Sequence, residues 1–223
     1  MAEIFTERSS FYTSQTPFSH LVIDDLLPGD QVKAIADSFW DYNDVKWEKF
    51  GRSFYNDHGQ KKQMESFTSM PEPIKRFFSS FMSAEFIAKL SQHTSLNIEK
   101  ANLFGAGMNL YAPGAELKKH ADFNFNDEIK MYRCLNLLYY VSDWKEGDGG
   151  CLQLYHPEAG SALEVSPKQN RVVIFPTNLD TPHGVSKTSP GFFRKSLGIY
   201  YYTRDLPQNV SSEPHRTIWK DND

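Results

Sequence analysis

Apolar positions along this chain change their spacing near residue 101. Before that point they recur at helical intervals. Leu21-Val22-Ile23 predicts a short strand, Pro28-Gly29 breaks it, and Asp30 is placed to cap a helix. Val32, Ile35, Ala36, Phe39 and Trp40 then follow at i, i+3, i+4, i+7 and i+8, one amphipathic stripe. Pro71 and Pro73 open a second helical segment carrying Ile74, Phe77, Phe78 and Phe81; a third, over 84–93, carries Phe86, Ile87 and Leu90. Between these, 41–70 mixes charge with Trp47, Phe50, Phe54, Tyr55 and His58 without a clear period. It reads as a loop covering a substrate or as irregular β-structure. Residues 1–16, polar and rich in Ser and Thr, read as a loose lead-in.

After residue 101 the pattern becomes short β-rich runs separated by turn residues. The predicted strands are Gly107–Ala112, Leu117–Asp122, Met131–Val141, Cys151–Tyr155, Arg171–Phe175, His183–Ser186 and Arg194–Thr203. Pro113-Gly114, Gly147–Gly150, Pro157, Pro167, Pro182 and Ser189-Pro190-Gly191 punctuate them. Many short strands at this spacing imply a sandwich or barrel. The expected plan is mainly β with N-terminal α-helices. Residues 1–100 form a helical support layer integral to the domain, 101–205 the β-core, and 206–223 a polar, peripheral C-terminal tail.

Composition agrees with a packed β-rich domain. The chain has 223 residues, 39% hydrophobic and 23% charged, with 17 Phe, 11 Tyr and 4 Trp to build thick β-packing and a deep pocket. Net charge is -4, and Lys61-Lys62 and Lys118-Lys119 are only pairs, so non-specific nucleic-acid binding is not favoured. No apolar run approaches the ~18 residues of a membrane helix, and no secretory leader pattern is present. The expected compartment is the cytoplasm, with Cys134 and Cys151 as free thiols.

Three residues carry the candidate chemistry. His120 and Asp122 stand at i and i+2, on one face of a predicted strand, and His183 arrives later on another. Two imidazoles and one carboxylate on one face are the ligands of a non-heme Fe(II) oxygenase, with other coordination positions left open. Arg194 follows, a fixed cation able to hold a carboxylate bidentately. Alternation puts Arg194, Ser196, Tyr200 and Tyr202 on one face of the last strand and Leu197, Ile199 and Tyr201 on the other. On 131–141, Cys134, Asn136, Leu138 and Tyr140 share a face, opposite Leu135, Leu137 and Tyr139; Asn109 and Tyr111 share one as well. Polar groups facing into a barrel are costly unless satisfied. A bound dicarboxylate would satisfy several, with Arg194, Ser196 and Tyr140 at one end and Tyr111 and Asn136 at other oxygens. His20, His58, His93, His156 and His215 read as ordinary polar residues, Lys118 and Lys119 as a solvated rim, and Gly147–Gly150 as a turn rather than a phosphate cradle.

The segments MNLYAPG (108–114), HADFN (120–124), RCLNLLYYVSDW (133–144), GDGGCLQLY (147–155), NRVVIFPT (170–177), His183 and RKSLGIYYYT (194–203) run in the order of a known family. The chain resembles the Fe(II)- and 2-oxoglutarate-dependent dioxygenases of the prolyl 4-hydroxylase-like branch. Within it, the pattern is that of the proline-hydroxylase group of bacterial, phage and ribosomal-protein type. The resemblance implies a double-stranded β-helix, the jelly roll of cupin-like proteins. It implies His120, Asp122 and His183 as iron ligands. Arg194 and Tyr140 would hold the distal carboxylate of 2-oxoglutarate, and Tyr111 would lie near its metal-proximal end. Ser196 and Asn136 complete the expected co-substrate contacts, and Arg133, Tyr200 and Asn124 border the substrate. It further implies Fe(II), 2-oxoglutarate and O2, with ascorbate as reductant, and succinate and CO2 as products. Asp122 stands where halogenating relatives carry a small residue, so hydroxylation is the expected outcome. The substrate expected is a prolyl residue or a related peptidyl or small molecule. Alternatives are the same chemistry on a nucleobase, sugar or lipid, or a cupin-type metal sensor or isomerase, which would have no need of Arg194.

Overall fold

The computed structural model describes residues 16–56, 59–157, 161–207 and 210–220; the expected lead-in up to residue 15 and His58 lie outside them. In chain order, β1 (Leu21–Ile23) leads into α1 (Gly29–Ser38) and α2 (Lys46–Phe50). A hairpin of β2 (Arg52–Asn56) and β3 (Gly59–Met64) follows, then α3 (Glu72–Phe81) and α4 (Ala84–Thr94). The β-rich part comprises β4 (Lys100–Tyr111), β5 (Leu117–Ala121), β6 (Phe125–Asn126), β7 (Met131–Tyr140), β8 (Leu152–Tyr155) and β9 (Ala162–Val165). It ends with β10 (Val172–Pro176), β11 (His183–Val185), β12 (Arg194–Thr203) and β13 (Ile218–Trp219).

These strands form two antiparallel sheets. The larger runs β1-β10-β7-β12-β4-β3-β2, with β6 beside β7; the smaller runs β13-β5-β11-β8-β9. Tyr140, Val173 and Phe175 of the larger sheet pack against Leu152, Leu154 and Val165 of the smaller, so the sheets face one another. This strand arrangement is consistent with a jelly roll, or double-stranded β-helix. The other face of the larger sheet is apolar for a separate reason: the helices cover it. Ile74, Phe77, Phe78 and Phe81 of α3 are all buried, and Phe77 lies 4.8 Å, ring to ring, from Tyr139 of β7. Leu135, Leu137, Leu197, Ile199 and Tyr201 join the same core. Burying each such Phe contributes roughly 1.5–3 kcal/mol, so α3 is held by its stripe rather than by its length.

Several local expectations are corrected. Asp30 does not cap α1; Pro28 precedes the helix and Asp30 sits in its first turn, where its charge suits the positive helix end. Phe39 and Trp40 lie past the end of α1 but stay buried around Trp47, whose ring is 5.2 Å from that of Trp40. Of the two readings of 41–70, irregular β-structure gives way to a short helix and a regular hairpin. Strand β3 extends the large sheet, pairing Lys61 with Tyr111 and Gln63 with Asn109.

Two features change which residues meet. Along β7 and β12, Leu135 pairs with Tyr201 but Arg133 with Tyr202, so β7 carries one extra residue, a β-bulge at Cys134. The bulge resets the alternation. Cys134 turns to the helix side beside Leu135, where its thiol donates to the Tyr201 carbonyl, instead of sharing a face with Asn136. Arg133 thereby comes onto the same side as Asn136. The tail, expected to be peripheral, returns to the sheet. Ile218 and Trp219 pair with Ala121 and His120 of β5. The segment stays largely exposed, with Trp219 at 54%, yet it adds a short strand to the edge of β5.

Candidate active site

His120 from β5 and His183 from β11 are direct cross-strand partners, with ring centroids 4.4 Å apart. Both are buried, at 4% and 6% exposure. Asp122 follows β5 and turns its carboxylate to the two rings. His120 Nε2 is 3.6 Å from its Oδ1, and His183 Nε2 is 3.3 Å from its Oδ2. One ligand atom from each residue lies within 4.8 Å of the others, a His/Asp/His cluster of the kind that holds Fe(II) on one face.

The tautomers suit this role. His120 Nδ1 lies 2.8 Å from the Lys118 carbonyl and His183 Nδ1 3.0 Å from the Thr181 carbonyl. Those acceptors place the proton on Nδ1 and leave the Nε2 lone pair toward the centre. Burial pushes the His183 imidazolium down to about 4, so the ring is neutral at physiological pH. For Asp122, burial alone would raise the carboxyl. The Arg133 guanidinium and then the two imidazoles outweigh it and hold the carboxyl well below its ordinary value.

Arg133 and Asn136 steady that carboxylate. Arg133 Nη2 is 2.8 Å from Asp122 Oδ2, and Asn136 Nδ2 donates to the same oxygen at 2.9 Å. Asn136 Oδ1 accepts from Arg133 Nε and Nη2 at 2.9 and 2.6 Å. Asn136, expected to touch a co-substrate, thus has both ends of its carboxamide committed to Asp122 and Arg133. The Arg133 plane lies on Tyr200, 3.2 Å from the ring centroid, while the Tyr200 hydroxyl donates to the Gly105 carbonyl.

Arg194 enters from the opposite sheet. Its Nε donates to the Gly150 carbonyl at 2.7 Å and its Nη1 to Ser196 Oγ at 3.3 Å; its carbon centre lies 5.0 Å from the Tyr140 ring and 5.2 Å from that of Tyr111. Gly150 has a φ of +65°, and a Cβ there would stand 3.0 Å from Arg194 Cδ, so glycine lets the loop lie against the guanidinium. Arg194 Nη2, Tyr140 Oη and Asn109 Oδ1 are buried without a partner. Such orphans cost about 1–3 kcal/mol each, and a carboxylate satisfies two donors at once. Burial raises the phenols of Tyr140 and Tyr111, so both remain O–H donors. The donor set therefore fits a metal with a dicarboxylate beside it.

A cavity of about 300 Å³ opens in front of the cluster, lined on different sides by Phe54, Lys61, Phe123, Tyr200 and Trp219. A larger groove of about 930 Å³ lies between α1 and α3, away from every candidate catalytic group. Asn124, expected at the substrate, is instead buried beneath the tail. Its Nδ2 donates to the Ser211 and Glu213 carbonyls, and its Oδ1 accepts from the His215 amide. Through Asn124 and β13, Trp219 is set 5.3 Å from the His120 ring. Neither Trp219 nor Lys61 stood out in the sequence. A chain-terminal Trp in a polar stretch was the only trace of the former.

Residues 106–202 match the model of the 2OG-Fe(II) oxygenase superfamily. No curated protein is similar to this chain in sequence. Among solved structures, a prolyl-4-hydroxylase of Pseudomonas putida is 21% identical with a TM-score of 0.65, over 83% of this chain and 93% of that one. A prolyl hydroxylase of Trichoplax adhaerens, in complex with a hypoxia inducible factor peptide fragment, is 17% identical with a TM-score of 0.60, over 82% and 83%. HygX of Streptomyces hygroscopicus, with nickel, 2-oxoglutarate and hygromycin B bound, is 9% identical with a TM-score of 0.55, over 89% and 92%. At these identities the likeness is one of fold. The matched stretch contains the His/Asp/His cluster and Arg194, and the chain is similar in fold to several prolyl hydroxylases at low sequence identity.

Proposed function

We propose that this protein is an Fe(II)- and 2-oxoglutarate-dependent dioxygenase that hydroxylates an unactivated C–H bond, with a prolyl residue as its leading substrate. One observation carries the reading. A neutral-imidazole and carboxylate triad on one sheet faces a buried arginine and tyrosine on the other, whose Nη2 and Oη lack partners. A metal sensor or isomerase of cupin type would leave those two donors dry.

His120, Asp122 and His183 would hold Fe(II) on one face, with Arg133 and Asn136 fixing the rotamer of Asp122. Arg194 and Tyr140, steadied by Ser196, would hold the distal carboxylate of 2-oxoglutarate, with Tyr111 alongside. Bound there with O2, Fe(II) and 2-oxoglutarate would supply the oxidising chemistry, with succinate and CO2 as products. The chain's own part is to orient the co-substrate, keep the phenols protonated and exclude water with aromatic walls. Arg133 and Tyr200 border the space where a substrate would lie. The fold likeness to prolyl hydroxylases supports a prolyl target.

Protein supplied with Fe(II) and 2-oxoglutarate should release succinate faster with a prolyl peptide, and the peptide should gain one oxygen atom by mass. Free proline, nucleosides and sugars serve as competing substrates; a response confined to one of these overturns the prolyl target. Absence of 2-oxoglutarate binding by calorimetry in the metal-loaded protein overturns the oxygenase reading.

A further inference from the structure

The cavity before the metal-ligand cluster contains a cation with no direct ion pair among the described residues. Its other lining charges pair off: Asp122 with Arg133 at 2.8 Å, and Glu116 with Lys118 at 2.7 Å. Among the described residues, the partly buried Lys61 has no ion-pair partner. Its ammonium instead lies between two rings, 5.4 Å from the centroid of Tyr111 and 5.7 Å from that of Phe54. Removing an ammonium from water is costly, and aromatic faces return only part of that cost. Burial and then Arg194 push Lys61 down to about 8 against the more distant carboxylates of Glu65 and Asp122, which still leaves it mostly charged at neutral pH.

Strand register separates Lys61 from the co-substrate anchor. Lys61, Tyr111 and Arg194 stand in one row across β3, β4 and β12. Lys61 is therefore two strands from Arg194, roughly 10 Å at ordinary strand spacing, with Tyr111 between them. The rest of the cavity wall is aromatic: Phe54, Phe123, Tyr200 and Trp219. A cation opposite an apolar wall suits a ligand with an apolar body and one negative end.

We propose that Lys61 is a substrate-recognition residue, and that the cavity takes a substrate with a carboxylate close to the carbon that is hydroxylated. The reaction named rests on the oxygenase reading; the carboxylate subsite does not. The carboxylate is either the α-carboxylate of a free amino acid or an acidic side chain next to the target residue in a peptide.

Mn(II)-loaded protein with 2-oxoglutarate, under argon, is titrated calorimetrically with two matched pairs. These are N-acetylproline against N-acetylprolinamide, and N-acetyl-aspartyl-prolinamide against N-acetyl-asparaginyl-prolinamide. In one pair the charged member is expected to bind at least tenfold more tightly than its neutral twin; the first pair would assign the α-carboxylate, the second the acidic side chain. Lys61→Met is expected to erase that ratio without moving the melting temperature, and Lys61→Arg to restore most of it. The proposal is overturned if neither charged member is preferred, or if the preference survives Lys61→Met. It also falls if Lys61→Met weakens 2-oxoglutarate binding as strongly as Arg194→Met, which would put the lysine in the co-substrate cradle. Failure of 2-oxoglutarate to bind at all strikes the oxygenase reading alone, because the same pairs titrated into metal-free protein still decide the role of Lys61.

Discussion

Arg133 does two things at atomic range: it neutralises Asp122 and it forms a face of the pocket with Tyr200. In metal-free protein, Arg133→Met strands a carboxylate with 9% side-chain exposure beside a 1% exposed position, an expected loss of about 3–5 kcal/mol. A divalent ion at the triad supplies replacement positive charge, so the deficit should shrink when Mn(II) is saturating. Urea titrations with and without metal measure this, and an equal deficit in both would refute the electrostatic coupling. His183 adds a pH dependence. Its folded value, about 4, lies below the ordinary 6.5, so the unfolded chain takes up the proton first. Its contribution is therefore complete above pH 6.5 and drains as pH falls toward 4, on the order of 3 kcal/mol in metal-free protein. Urea midpoints at pH 7, 5 and 4 should show that slope, and His183→Asn should lack it. His120, Asp122 and Arg194 were legible in the sequence because residue type and i, i+2 spacing act locally. Lys61 was not, because its significance lies in the pairing of β3 with β4, which no local pattern announces.

At the scale of elements, apolar period was a good guide wherever a stripe was buried, and α3 is the clearest case. It failed at β7, since an alternation rule has no term for an inserted residue. The bulge at Cys134 turned that thiol from the face expected for Asn136 to the helix side and let Arg133 share a side with Asn136. It failed again at the tail, where two residues of pairing and one buried asparagine hold a polar segment in place. Asn124→Ala removes both donors and the acceptor that fix residues 211–215. The expected cost is about 1–3 kcal/mol, with faster hydrogen exchange at the amides of 218–220. Protection unchanged at Lys220, whose amide donates to the Lys119 carbonyl, would mean that β13 stays docked without Asn124.

For the whole molecule, the two sheets divide the proposed ligands between them: the metal residues on the smaller, the arginine anchor on the larger. Each ligand at a hundred times its dissociation constant should add about 2.7 kcal/mol to the folded state. Arg194→Met should abolish the increment from 2-oxoglutarate and leave that from Mn(II) intact. Thermal unfolding with each ligand separately and together reads this directly, and loss of both increments would argue for a damaged fold instead. Among the described residues no helix is long and apolar enough to cross a membrane.

Strand β13 also has a bearing on colloidal behaviour. It covers the outer edge of β5, the strand that carries His120, with only two residues of ladder. An uncovered strand presents unpaired N–H and C=O groups that any extended chain can join. Release of this short cover, by proteolysis or by a bulky fusion at that end, would turn the sheet that carries His120 and His183 into a template for strand exchange between molecules. The segment that walls the pocket thus also keeps neighbouring copies apart, and clumping is the failure to expect when it is lost.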